Sequence, residues 1–63
     1  MRYGKIKEIR EEKGMSQEEL AKKANVSRTT ISSLESGKDI ETMVGTIKAI
    51  ADALEVSVSS LIA

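Results

Sequence analysis

Sixty-three residues make one domain with little thermodynamic margin: a chain this short buries only about 60% of the surface its unfolded form exposes, so it needs efficient packing or a second copy. With neither cysteine nor histidine, it can form no disulfide and lacks the usual zinc ligands, and no apolar run approaches the roughly 20 residues of a membrane span. Ten basic and ten acidic residues cancel in total, but Met1 to Lys38 carries nine basic and six acidic residues, a net of +3, and Asp39 to Ala63 a net of −3. The local field, not the total charge, is what an anionic partner meets. The N-terminus has no signal-peptide pattern, so a cytoplasmic protein is expected. There is no proline, internal repeat or low-complexity segment.

In chain order, Met1 to Lys13 reads as a first helix. Tyr3, Ile6 and Ile9 recur every three residues as a buried stripe, and Tyr3, the only aromatic, is expected to pack there, since one ring makes no stacking platform for bases. On the exposed faces, Lys7–Glu11 is a favourable pair one turn apart and Glu8–Glu12 an unfavourable one. Gly14 stops the helix and Met15 packs back behind it.

Ser16 to Gly37 is the organising stretch. Ser16 with Glu19 three residues on is a capping box. Leu20, Ala21 and Ala24 then form a narrow apolar face over a helix from Gln17 to Ala24. Asn25 tolerates the positive φ that a sharp reversal needs, and Val26 fills the space between two helices. Ser27 caps a second helix from Arg28 to Glu35, with Ile31 and Leu34 facing inward, and Gly37 ends it.

Beyond lies Lys38-Asp39-Ile40-Glu41-Thr42, with Thr42 as the expected cap of a fourth helix. Val44, Ile47, Ile50, Ala51 and Leu54 give that helix its core face, and Gly45 within it costs about 1 kcal/mol relative to alanine. Ser57 is expected to cap a short last helix from Val58 to Ile62.

Several spacings agree at once with one known pattern: Gln17, Leu20-Ala21, Ala24, Asn25, Val26, Ile31, Leu34-Glu35 and Gly37, flanked by Ile9-Arg10 and Gly14 before and by Ile50-Ala51, Leu54 and Val56-Ser57 after. The run resembles the helix-turn-helix of the phage-repressor and Cro-like (xenobiotic-response-element type) family of bacterial DNA-binding regulators, over nearly the whole chain. The resemblance implies an all-α, compact five-helix, lambda-repressor-like domain over residues 1–63. It implies binding of double-stranded DNA by a homodimer, with no cofactor, metal or small-molecule ligand. The chain departs from the family where Asp39 and Glu41 stand in the loop, which should weaken phosphate contact, and where Glu55 replaces a usual glycine.

The resemblance also assigns roles. If the second helix of the unit enters the major groove, the face opposite Ile31 and Leu34 presents Arg28, Thr29, Ser32 and Ser33 to base edges. Arg28 suits guanine O6 and N7, a contact that supplies about 1–3 kcal/mol of discrimination. The serines are short and reach bases only from a deeply seated helix or through water. Gln17, Ser27, Ser36 and Lys38 are the expected phosphate contacts, with Gln17 at a helix start where amides bind anions. In the family, Arg10 pairs with the glutamate before the helix-ending glycine, here Glu35, tying the first helix to the recognition helix. Of the apolar Val58, Leu61 and Ile62, some must close the core, and the resemblance assigns any that do not to a dimer edge.

The sequence-specific regulator, expected to be a repressor on a two-fold-symmetric operator, has two alternatives. One is the same DNA binder serving as an antitoxin or a restriction-control protein. The other is an interaction module that kept the fold and lost operator binding, favoured by the zero net charge. An enzyme is not expected: no histidine, cysteine, glycine-rich phosphate loop or paired carboxylates offer catalytic chemistry.

Overall fold

A computed structural model describes residues 3–36 and 44–62. Among them are four α-helices and one 3₁₀ turn: α1 Lys5–Glu12, α2 Gln17–Ala24, α3 Arg28–Glu35, α4 Val44–Leu54, and the turn Val58–Leu61. The first helix begins at Lys5 rather than at the chain start, with Gly4 at its N-cap offering no side chain to bond. Met1 and Arg2 lie outside the described residues, as do Gly37 to Met43, which include Lys38, Asp39, Glu41 and Thr42.

The last element corrects an expectation. The short last helix expected over Val58 to Ile62 is a 3₁₀ turn, Val58–Leu61, so among the described residues four α-helices are counted rather than five helices. Ser57 holds the cap position, but its hydroxyl bonds those of Ser59 and Ser60, at 3.0 Å each, rather than a backbone N–H. Four residues allow little more than the tighter i→i+3 bonding, as in Ser60 N–H to the Ser57 carbonyl at 3.0 Å.

Three helices end in one way. Gly14, Asn25 and Glu55 sit at φ 69, 58 and 60, and the next residue reaches back across the final turn. Met15 N–H bonds the Arg10 carbonyl at 3.1 Å, Val26 N–H that of Ala21 at 2.9 Å, and Val56 N–H that of Ala51 at 3.0 Å. These are Schellman endings, which satisfy carbonyls the helix leaves open. The apolar side chain after each reversal (Met15, Val26, Val56) packs on the core. Glu55 makes its reversal against the steric preference of an L-residue, about 1–2 kcal/mol.

The core joins all five elements. Its largest fully buried side chains are Ile6, Leu20, Ile31, Leu34, Ile50, Leu54 and Leu61. α2 packs on both α3 and α4, α1 packs on α3 and the 3₁₀ turn, and α4 packs on that turn as well. Tyr3 and Ile9 lie half-buried against the core, which makes Tyr3 a packing residue. Leu61 does not belong to a free edge: it is wholly buried, because the 3₁₀ turn folds it back between α1 and α4. Of the three residues assigned to an edge, Val58 stays exposed, at 37%, and Ile62 half-buried.

Candidate nucleic-acid interface

The α2–α3 unit is built from local hydrogen bonds. Glu19 N–H donates to Ser16 Oγ at 3.0 Å, and Ser16 N–H donates to Glu19 Oε1 at 2.9 Å. The Ser16 backbone N–H, and then its hydroxyl, hold the Glu19 carboxyl below its usual range. Glu18 and Glu19 open α2 and Lys22 and Lys23 close it, so its charges suit the helix dipole at both ends.

α3 starts with a similar cap: Thr30 N–H donates to Ser27 Oγ at 3.1 Å, and the Ser27 and Thr30 hydroxyls lie 2.8 Å apart. Its charges do not suit it. There is no acid in the first turn and no base in the last, and Arg28 occupies the first helical position, where the dipole is positive.

Ile31 and Leu34 pin α3 to the core with at most 1% exposure. On the opposite face Arg28, Thr29 and Ser32 are exposed and Ser33 half-buried. These four side chains line one shallow depression of about 240 Å³. The fold thus gathers the four base-contact candidates on one outward surface.

Behind that surface runs a polar network. Arg10 Nε donates to Glu35 Oε2 at 2.7 Å and Arg10 Nη2 to Glu35 Oε1 at 3.1 Å, a two-pronged pair between side chains only 9% and 4% exposed. Arg10 Nη1 donates to the Met15 carbonyl at 2.6 Å. The guanidinium thereby joins α1, the turn after it and α3. The hydrogen bond to Glu35 raises the Arg10 pKa above its ordinary value, more than burial lowers it.

Gln17 extends the network outward. Its Nε2 donates to Glu35 Oε1 at 2.9 Å, and its Oε1 accepts from Arg28 Nε at a long 3.4 Å. This bridging role was not visible in the sequence, where Gln17 stands 18 residues from Glu35. A glutamine at the first position of one helix opposite an arginine at the first position of the next is the signal that could have found it.

Among the other phosphate-contact candidates, Ser27 is engaged as the α3 cap. Ser36 donates its hydroxyl to the Ser33 carbonyl at 2.8 Å, closing α3. Thr30, which sequence reasoning passed over, supplies the second hydroxyl of the Ser27 cap.

A larger depression of about 690 Å³ lies between the ends of α1 and α4 and the outer face of α2. Its Lys22 and Lys23 belong to the last turn of α2 and complement that helix's dipole. Among the described residues no group of three or more acidic, histidine or cysteine side chains could hold a metal ion, and no helix is long and apolar enough to cross a membrane.

A helix-turn-helix family profile matches residues 6–61. A chain of the solved SinR protein/SinI protein complex superposes with a TM-score of 0.85 at 36% sequence identity. That likeness covers 97% of this chain and 59% of the other, so this chain spans little more than half the length of its structural relative. No curated protein matches the sequence.

Proposed function

The chain belongs to the Cro/C1-type helix-turn-helix family, and from that premise we propose that it is a sequence-specific repressor that binds a two-fold-symmetric operator as a homodimer. α3 lies in the major groove. Arg28 grips a guanine, Thr29 offers its methyl to thymine and its hydroxyl to an acceptor, and Ser32 and Ser33 read at short range or through water. Gln17, Ser27, Ser36 and Lys38 set the docking on phosphates, which position the helix without carrying sequence information. Repression is steric, by occupation of a promoter.

The observation that carries this reading is the outward face of α3: four hydrogen-bonding side chains on one surface, on a helix whose inner face is locked in the core. Size supports the dimer. The described chain extends 25 × 20 × 19 Å, less than the roughly 34 Å between successive major grooves on one side of a duplex. One copy therefore reads one half-site. Val58 and Ile62, the apolar residues left at the surface of the C-terminal turn, are the proposed edge.

Selection of sites from a random duplex pool, with Arg28→Ala in parallel, tests the proposal. A two-fold-symmetric motif in which the variant relaxes one base is expected. Enrichment of nothing at low salt sinks it. Zero net charge favours a second reading, a protein-interaction module. Salt separates the two, since log affinity for DNA falls by about 0.9 per phosphate neutralised for each unit of log salt, and an apolar partner contact barely moves.

A further inference from the structure

The depression between the ends of α1 and α4 and the outer face of α2 is not part of the proposed DNA-reading surface. α2 starts at Gln17, beside Arg28, and this hollow lies at its other end, around Lys22 and Lys23, about 9 Å farther along the helix at roughly 1.5 Å per residue. Its volume of about 690 Å³ falls within the roughly 300–1,000 Å³ of small-molecule sites. Its walls are of two kinds. Half-buried Met15 with buried Ala53 and Leu54 supplies an apolar floor. Exposed Lys13, Lys22, Lys23, Glu19 and Glu55 stand around it.

The charged groups of the rim do not satisfy one another. Glu19 is committed to the Ser16 cap. Among the described residues, no hydrogen bond or ion pair engages the side chains of Lys13, Lys22, Lys23 or Glu55. The attraction of Lys22 and Lys23 to the α2 dipole acts through their charge and leaves the N–H donors of each ammonium open. Glu55 is the odd member. It holds a helix-ending reversal at φ 60 that glycine adopts at no steric cost, so the backbone alone favours glycine there. Backbone strain of this kind collects at ligand sites, and here it sets a carboxylate on a rim shared with three lysines.

We infer that this hollow binds a small amphipathic organic acid: its apolar body lies on Met15, Ala53 and Leu54, its acid group meets the lysines, and an adjacent N–H donates to Glu55. An N-acyl amino acid carries all three features. Charge complementarity selects this occupant. Three cations against two carboxylates leave the rim net positive, and an anion beside the lysines gains charge-assisted hydrogen bonds. A plain fatty acid would satisfy the floor and the lysines but bring no donor to Glu55. The site stands apart from the α3 face, so the inference does not rest on the DNA reading.

The test is a backbone-amide NMR titration of the isotope-labelled chain with N-octanoylglycine. Three relatives of the probe each remove one feature: its methyl ester lacks the anion, N-acetylglycine lacks the apolar body, and octanoyloxyacetate lacks the N–H. Saturable shifts centred on Met15, Lys22, Lys23 and Glu55 are expected with the probe, and binding weaker by about fivefold or more with each relative. Glu55→Gly separates binding from folding, because glycine suits the reversal. Its melting temperature should be no lower than that of the wild type, while its affinity for the probe falls about tenfold, the low end for one hydrogen bond to a charged group. In that variant octanoyloxyacetate should bind as well as the probe. Equal binding of the probe and its relatives would reduce the hollow to an apolar patch, and unchanged affinity in Glu55→Gly would leave the strained carboxylate without a role; either result overturns the inference. So does the absence of saturable shifts, or movement of the same resonances with protein concentration alone, which would put a second copy in the hollow.

Discussion

α2 and α3 are both eight residues long and both start at a serine cap, yet they are stabilised in different ways. α2 carries its stabilisers within itself: a complete capping box, acids in its first turn and lysines in its last. α3 has the cap alone, with an arginine at its positive end. What holds α3 is its surroundings: Ile31 and Leu34 in the core and the grip of Arg10 on Glu35. A helix that must offer its outer face to a partner gives up local preferences there and is secured from behind. Conflicts between local rule and fold gather at functional surfaces for this reason.

The largest effect should come from cutting α3 loose. Arg10→Met leaves Glu35 with a nearly buried charge and no cation, which costs about 3–5 kcal/mol. At about 0.05–0.15 kcal/mol per residue, that is a large share of the total stability of so small a chain. Urea and thermal unfolding should show a severely destabilised variant. A wild-type melting temperature would break the comparison by showing that α3 stands without the pair.

The self-sufficiency of α2 is tested at its start. Ser16→Ala should cost about 1 kcal/mol, read from the same unfolding curves. The capping box also has a pH signature. The folded Glu19 pKa lies below its ordinary value of 4.5, so its contribution is present above the unfolded carboxylate's titration and is lost as pH falls through the folded pKa. Stability curves of Glu19→Gln and wild type should therefore approach one another in acid. Curves that stay parallel would contradict the box.

A smaller pair of changes sharpens the same contrast in α4, where glycine is wanted at one end and not at the other. Glu55→Gly relieves a left-handed residue at φ 60 and should stabilise by about 0.5–1 kcal/mol, after the backbone entropy of glycine is set against the strain relieved. Gly45→Ala should help by up to about 1 kcal/mol, since a Cβ there meets nothing within 4 Å. A loss of melting temperature in either variant would refute the corresponding reading.

Local chemistry was legible in the sequence. Ser16 and Glu19 three apart, Asn25 before Val26, and Ile31 with Leu34 each specify a cap, a reversal or a face through neighbours in the chain, and the helix-turn-helix follows from them. What was hidden depends on topology. Which of Val58, Leu61 and Ile62 closes the core is not decided until α1 and α4 close over Leu61. Gln17 reads as an anion contact, and only the fold shows that Glu35 and Arg28 also lie on either side of its amide. The last element is legible as a short helix but not as a 3₁₀ turn, because an apolar pattern of so few residues cannot separate that form from an α-helix. Ser57 then spends its hydroxyl on neighbouring serines instead of the backbone. The start of α1 at Lys5 was overrun because Tyr3 continues the apolar period while Gly4 supplies no capping side chain.

The central claim is that α3 trades local stability for a DNA-reading face, and Arg28→Ala tests both halves at once. The melting temperature of the variant and its affinity for the selected duplex should be measured on the same preparation. The account predicts a melting temperature equal to wild type or slightly higher, since a cation at a helix start costs about 0.3–1 kcal/mol, together with affinity reduced about fivefold or more. Unchanged affinity, or an affinity loss that merely follows a fall in melting temperature, would contradict it.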